Sequence, residues 1–333
     1  MANQKDFDDV KTGEIKGAVN PSFSSTSCSE KNMYGLITET VKKYKIFNYE
    51  ALAQAVNQTK IVNDIKAKHL ATTHKRLDVS AAEIAHVLHL VPELSLKDKV
   101  CLEIGSGWVL SYALIFHLLG ARKVIATDIA PLANPARLYE ALHQATDYII
   151  RDILSAFGEH EEIRERLDNL LTIKQFDEES LARLGITYLA PCDFAQGKFT
   201  EEVGYIFSRS VMNHLPRNLV GAILRNLYDS LCPGGIMTSD IHLEDVKCFD
   251  HSPFAFYEIS AAEYLPAYDG LRGNRIRASE WEALFTQLSN GQSRTYYQWQ
   301  RKAEVLPERI DPSINALSTD DLRTSHLGIV VRK

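Results

Sequence analysis

The hydrophobic positions change rhythm along the chain. From about Tyr34 to Leu90 they recur at spacings of three and four, as in Ala51, Leu52, Ala55 and Val56 and then Ile61, Ile65 and Leu70, which predicts amphipathic helices. Ser80, with Glu83 three residues on, reads as a capping box that opens one further helix. At Leu96 the texture shifts. Lys99-Val-Cys-Leu-Glu-Ile104 is a short apolar run, a helical stretch follows, and Lys123-Val-Ile-Ala-Thr-Asp128 repeats the run. Two such runs around one helix predict a β-α-β unit with parallel strands. The strand pattern resumes over 186–189, 203–208 and 236–241, the last after the breaker Cys232-Pro-Gly-Gly235, with a helix predicted over about 217–231. Two late runs, 295–300 and 327–331, read as an antiparallel pair on the sheet edge.

Together these elements predict an α/β fold, a doubly wound, mostly parallel sheet of seven strands with a helical N-terminal cap. Residues 1–32, with the Ser/Thr/Pro run from Asn20 to Ser29, read as a mobile lead-in. Residues 33–95 read as the cap or lid and 96–333 as a Rossmann-like domain, with a helical insertion at about 134–184 and a second insertion at about 246–294.

Composition narrows the function classes. Hydrophobic residues at 45% and charged residues at 24% are ordinary for a folded domain, and 37 basic against 43 acidic side chains leave a net charge of −6. Such a molecule has no general attraction for a polyanion, so no nucleic-acid partner is expected. Between Met33 and Asp78 the balance is locally +4, and Asp152 to Glu179 holds nine acidic residues against three basic ones. Both patterns fit solvated helix faces. The five cysteines form no CxxC pair, and Met1 to Val10 has no apolar h-region, so a reducing, cytoplasmic location is expected. Ile104 to Ala121 lacks any Lys, Arg, Asp or Glu, but it opens on Gly105-Ser-Gly107 and its apolar remainder is too short to span a bilayer. No membrane partner is expected.

The chemistry concentrates in Leu102-Glu-Ile-Gly-Ser-Gly107 together with Asp128 at the end of the next strand. Glycines after a first strand let the backbone approach a ligand at the carboxyl edge of the sheet. An acidic side chain closing the second strand accepts hydrogen bonds from ribose hydroxyls. That points to a nucleoside-containing cofactor. The dinucleotide fingerprint GxGxxG would need glycine at position 110, where this chain has Leu110.

The arrangement resembles motif I of the class I S-adenosylmethionine-dependent methyltransferases, E/D-x-G-x-G-x-G. Gly120 to Asp128 is similar to that family's second strand, and Cys192-Asp-Phe194 matches the place where an acidic residue meets adenine. Tyr205 to Pro216 resembles the fourth-strand segment, and Leu231-Cys-Pro-Gly-Gly235 the turn before the fifth. The resemblance implies S-adenosyl-L-methionine as cofactor, held by Glu103, Gly105, Ser106, Gly107, Asp128, Ile129, Asp193, Phe194 and Ser210. Glu103 would reach the amino group or ribose, Asp128 the ribose diol and Asp193 the adenine amino group, with Phe194 beside the ring. The family's third glycine is Val109 here, preceded by Trp108. That pair either tightens packing under the loop or reshapes the pocket for a non-methylating relative. Further on, Ser239 to Asp245, Pro253 to Tyr257 and Asn274 to Trp281 resemble a bacterial subgroup of small-molecule or glycan methyltransferases.

Methyl transfer to a hydroxyl needs alignment and a base. His214 after the fourth strand and His242 at the end of the fifth are the candidates for that base. Asp240, Glu244 and Asp245 can orient a histidine or bind a cation, though no metal is expected. His86 and His89 read as helix packing. Asn213, Tyr257, Asn274, Arg275 and Arg277 are the candidate acceptor-binding residues, with Tyr264 beside them. The expected activity is methylation of a small polar molecule, first of all at oxygen. A cofactor-binding enzyme that does not methylate and a non-catalytic interaction protein are the alternatives. The sequence gives no reading of oligomeric state.

Overall fold

The computed structural model describes residues 76–143, 147–246, 252–267 and 272–333. The expected lead-in and most of the expected cap lie outside them. The first described element is helix α1, Arg76–Leu90, followed by strand β1, Val100–Ile104. Helix α2, Ser111–Leu118, leads to β2, Lys123–Thr127. Four helices follow: α3, Pro135–His143, α4, Asp147–Leu154, α5, His160–Leu171, and α6, Glu178–Arg183. They precede β3, Ile186–Leu189, and β4, Val203–Arg209. Helix α7, Val220–Ser230, connects to β5, Leu231–His242, and α8, Ala261–Ala267, and α9, Ala278–Leu288, lead to β6, Ser293–Gln300. Helix α10, Thr319–Arg323, and β7, Thr324–Arg332, close the chain.

The sheet has seven strands in the order β3-β2-β1-β4-β5-β7-β6. All pairs from β3 to β5 are parallel, and β7 runs antiparallel to both β5 and β6. This is the doubly wound, mostly parallel sheet expected, with the late antiparallel pair on its edge. Order reverses between β1 and β4, and in an open sheet that reversal leaves a crevice at the carboxyl ends where ligands bind.

Side chains alternate between the two faces of each strand. Cys101, Val124, Tyr205, Phe207 and Ile236 point to one face, packed with α1 through α6. Leu102, Ile104, Ile206, Met237 and Ile241 point to the other, packed against α7 and α9. The near-continuous apolar strands recognised in the sequence are what burial on both faces demands.

Ser80 does not cap a helix. It lies within α1, and its hydroxyl bonds that of Ser111 at 2.7 Å, so this turn is fixed by packing against α2. Leu77, Ala81, Ala82, Ile84 and Ala85 are almost fully buried in the same core as α2 and α4. The described end of the 33–95 segment is therefore an integral layer of the sheet's helical face. Among the described residues, no helix is long and apolar enough to cross a membrane.

Candidate functional site

The loop after β1 is pinned to β2. The amides of Gly105 and Ser106 both donate to the Thr127 carbonyl at 2.9 Å, and the Ser106 hydroxyl donates there at 3.1 Å. One step on, the Gly107 amide donates to Asp128 Oδ2 at 2.9 Å, and the Ala130 amide reaches Asp128 Oδ1 at 3.3 Å. The Asp128 carbonyl accepts the Cys192 amide at 2.8 Å, tying the loop after β3 to the same point. Asp128 is thus a fixed acceptor at the carboxyl edge, beside the switch point.

Both glycines take left-handed backbone, φ 73° at Gly105 and 62° at Gly107, a region that favours glycine. At Gly105 an added Cβ would overlap the Val211 side chain, so the loops after β1 and β4 touch there. At Gly107 an added Cβ would meet no atom within 4 Å. Ile129, next to Asp128, is 65% exposed, an unusual state for a large apolar side chain at a sheet edge. Open space above Gly107, a fixed carboxylate and an apolar ledge together fit a nucleoside whose diol meets the carboxylate and whose base lies on the ledge.

Glu103 projects from β1 to the α2 face and is 1% exposed, with no hydrogen bond of standard geometry at either carboxylate oxygen. Burial pushes its pKa up to about 8, while the nearby Ser106 hydroxyl and Ala113 amide pull the other way. Burying an acid is costly unless hydrogen bonds or a ligand complete it.

Val109 is 5% exposed inside the α2-face core, and Trp108 packs partly buried against it. The departure from the glycine pattern therefore fills space beneath the loop. Leu110, at φ 51°, takes the turn into α2.

Asp193 lies exposed after β3, its oxygens accepting the Ala195 amide at 2.8 Å and the Gln196 side chain at 3.2 Å. Phe194 is 7% exposed in the α7-face core, in one cluster with Ile104 at the end of β1, and its carbonyl accepts Asn226 Nδ2 at 2.7 Å.

On the far side of the switch point, the Ser210 amide donates to the Asp240 carbonyl at 2.8 Å, with Ser210 at φ 51°. A single helical turn, Met212–His214, follows. Asn213 is 2% exposed with both side-chain amide atoms lacking a hydrogen-bond partner, and His214 is half-buried. Asn274 fixes this turn: its amide donates to the Asn213 carbonyl at 2.7 Å and its side chain to the Met212 and Leu215 carbonyls at 2.8 and 3.2 Å.

A buried ionic chain runs across the same edge. Arg209, closing β4, pairs with Glu83 of α1 at 2.8 Å and with Asp240 of β5. Glu83 also accepts from the Tyr112 hydroxyl, and Asp240 from the Tyr297 hydroxyl. Burial raises the Asp240 pKa to about 6 against the pull of Arg209. The sequence pattern does not single out Arg209, Tyr112 or Tyr297, and it predicts a helix cap at Ser80 with Glu83, where the structure has an ion pair. The available signal was an arginine ending an otherwise apolar strand.

His242, the last residue of β5, is 3% exposed and bonds Glu244 Oε2 through Nε2 at 2.6 Å. It faces His326 across the β5–β7 ladder, ring centroids 4.7 Å apart. Burial works against the Glu244 anion, yet Arg301 and His242 hold its pKa down at about 2. Asp245 is fully buried against Arg272, and His86 packs near Tyr297 as a helix-packing residue would.

Three expected acceptor ligands are structural instead. Arg277 is fully buried and donates to the carbonyls of Leu243, Asp321, Leu322 and Thr324, bracing the end of β5 against α10. Arg275 donates to the Phe256 and Ile259 carbonyls and to Ser313, with its guanidinium 3.9 Å from the Tyr264 ring centroid. Tyr257 is fully buried between Phe254 and Phe256, its hydroxyl on the Leu322 carbonyl. Most of their donors go to carbonyls at the ends of elements and in the loops around them.

No family model matches the chain, and no curated protein matches it. Among solved structures it is similar to a putative hemolysin from Streptococcus thermophilus, at 11% identity over 75% of this chain and 64% of that chain, TM-score 0.38. The chain thus spans less than two thirds of that protein's length. It is also similar to magnesium protoporphyrin IX methyltransferase from Synechocystis PCC 6803 with bound SAH, at 13% identity over 79% and 87% of the two chains, TM-score 0.40. A third is the N-methyltransferase NodS from Bradyrhizobium japonicum WM9, at 14% identity over 75% and 96%, TM-score 0.36. Likenesses this distant leave the function to be argued from the site.

Proposed function

We propose that the chain is an S-adenosylmethionine-dependent methyltransferase acting on a small polar acceptor, at oxygen. The observation that carries this reading is the clasp between the Gly107 amide and Asp128 Oδ2, 2.9 Å, with open space above Gly107 at the switch point of the sheet. When bound, the cofactor supplies an electrophilic methyl group on a sulfonium.

The chain's own residues do the rest. Asp128 holds a ribose diol and Ile129 supports the adenine, with Asp193 as acceptor for its amino group. Glu103, a buried carboxyl beside the loop, accepts from the amino group at the amino-acid end, and Ser106 and Gly107 line the loop. On the acceptor side, Asn213 offers a buried amide that a polar substrate group completes, and Ser210 lies one turn before it. His214, half-buried on the turn that Asn274 braces, is the better-exposed of the two histidines and takes the acceptor proton. His242, sealed against Glu244, supports the edge instead.

The test is mass spectrometry of small polar molecules incubated with the full chain and S-adenosylmethionine. A product heavier by one CH₂ unit supports the reading. Cofactor consumption with no methylated product sinks it in favour of a non-methylating enzyme of this fold.

A further inference from the structure

Where β5 ends and β7 begins, two imidazoles and one carboxylate converge. Ligand atoms of His242, Glu244 and His326 all lie within 4.8 Å of one another. The cross-strand pairing of His242 with His326 puts both rings on one face of the sheet, so the backbone itself fixes their approach. His242 and Glu244 are 3% and 2% exposed, and His326 is partly buried with its Nε2 enclosed. Arg301 pairs with Glu244 Oε1, and His242 takes Oε2, the oxygen turned toward the imidazoles. The Ser325 hydroxyl lies 3.2 Å from His326 Nδ1.

We propose that His242, Glu244 and His326 bind a divalent first-row transition ion, zinc above all, through two imidazole nitrogens and one carboxylate oxygen, with a fourth position for an oxygen ligand. Two imidazoles exclude the all-oxygen preference of magnesium and calcium, and three protein ligands with one open position is the arrangement of reactive zinc sites. Tetrahedral coordination sets neighbouring ligand atoms roughly 3.3 Å apart, which side-chain rotation reaches from the present spacing. Arg301 then acts on the ligating carboxylate from outside, as partners of metal ligands do when they fix orientation. The site stands independently of the adenosyl cradle, since it shares no residue with it.

The experiment titrates chelator-stripped, full-length protein with zinc chloride by calorimetry and with cobalt chloride by visible absorption. One equivalent should bind, with the cobalt bands of a four-coordinate site, and His326→Ala should weaken both by at least tenfold. Asp128→Ala should leave metal binding unchanged. Absence of a saturable cobalt band in the wild type overturns the proposal, and that measurement needs no variant to fold. Equal affinity in folded His326→Ala overturns it too. If S-adenosylhomocysteine fails to bind the same sample while metal binds, the methyltransferase reading falls and the metal site remains.

Discussion

Glu83 on α1 and Arg209 at the end of β4 form an ion pair of 2.8 Å with both side chains less than one-tenth exposed. It joins the first described helix to the edge of the sheet at which the acceptor is proposed to bind. Arg209 also pairs with Asp240, so one guanidinium neutralises two buried carboxylates. Arg209→Met strands both, and removing one partner of a buried pair destabilises by about 3–5 kcal/mol. Urea denaturation should show a loss of that order; a loss under about 1 kcal/mol contradicts the network.

Gly105 and Gly107 separate backbone strain from steric overlap. Both have positive φ, where a Cβ costs about 1–2 kcal/mol. Only at Gly105 does that Cβ also meet Val211. Gly105→Ala should therefore destabilise more than Gly107→Ala in the same denaturation assay. Equal losses would mean that the loops after β1 and β4 do not touch.

Glu103 predicts an unusual pH dependence. Its pKa rises from the ordinary carboxyl value of 4.5 to about 8 through burial, so between these values the folded chain keeps a proton that the unfolded chain has lost. Stability must then fall as pH rises through this window. Glu103→Gln, neutral at every pH, should flatten that part of the stability profile. A wild-type contribution that rises from pH 5 to pH 8, unaltered by the substitution, contradicts the assignment.

His214→Ala tests the base. If the acceptor is a hydroxyl, kcat should fall by about 10²–10⁴, with acceptor KM and cofactor affinity little changed. Unchanged kcat across pH 6–9 would remove His214 from the chemistry and direct attention to an acceptor that needs no base.

The sequence revealed those parts whose physics is local. Short apolar runs and the Gly105-Ser-Gly107 turn, with Asp128 closing the adjacent strand, mark the sheet and its carboxyl-edge loop because strand burial and loop clearance each leave a local pattern. Residues whose partners are distant leave no such pattern. Ser80 and Glu83 satisfy a capping pattern three residues apart, yet their actual partners are Ser111 and Tyr112 on α2 and Arg209 on β4. Arg275 and Arg277 look like anion ligands because charge is legible and burial is not; their carbonyl partners, Phe256 and Leu243 among them, are distant in sequence. His326 carried no signal, since its link to His242 is the β5–β7 register.

The central claim is that the Gly107–Asp128 clasp holds an adenosyl group, and calorimetric titration of the full chain with S-adenosylhomocysteine tests it most directly. Saturable binding at one site, weakened by about 1–3 kcal/mol in Asp128→Ala through loss of the diol's acceptor, is the predicted result. No binding to the wild type, or equal binding by wild type and variant, would contradict it.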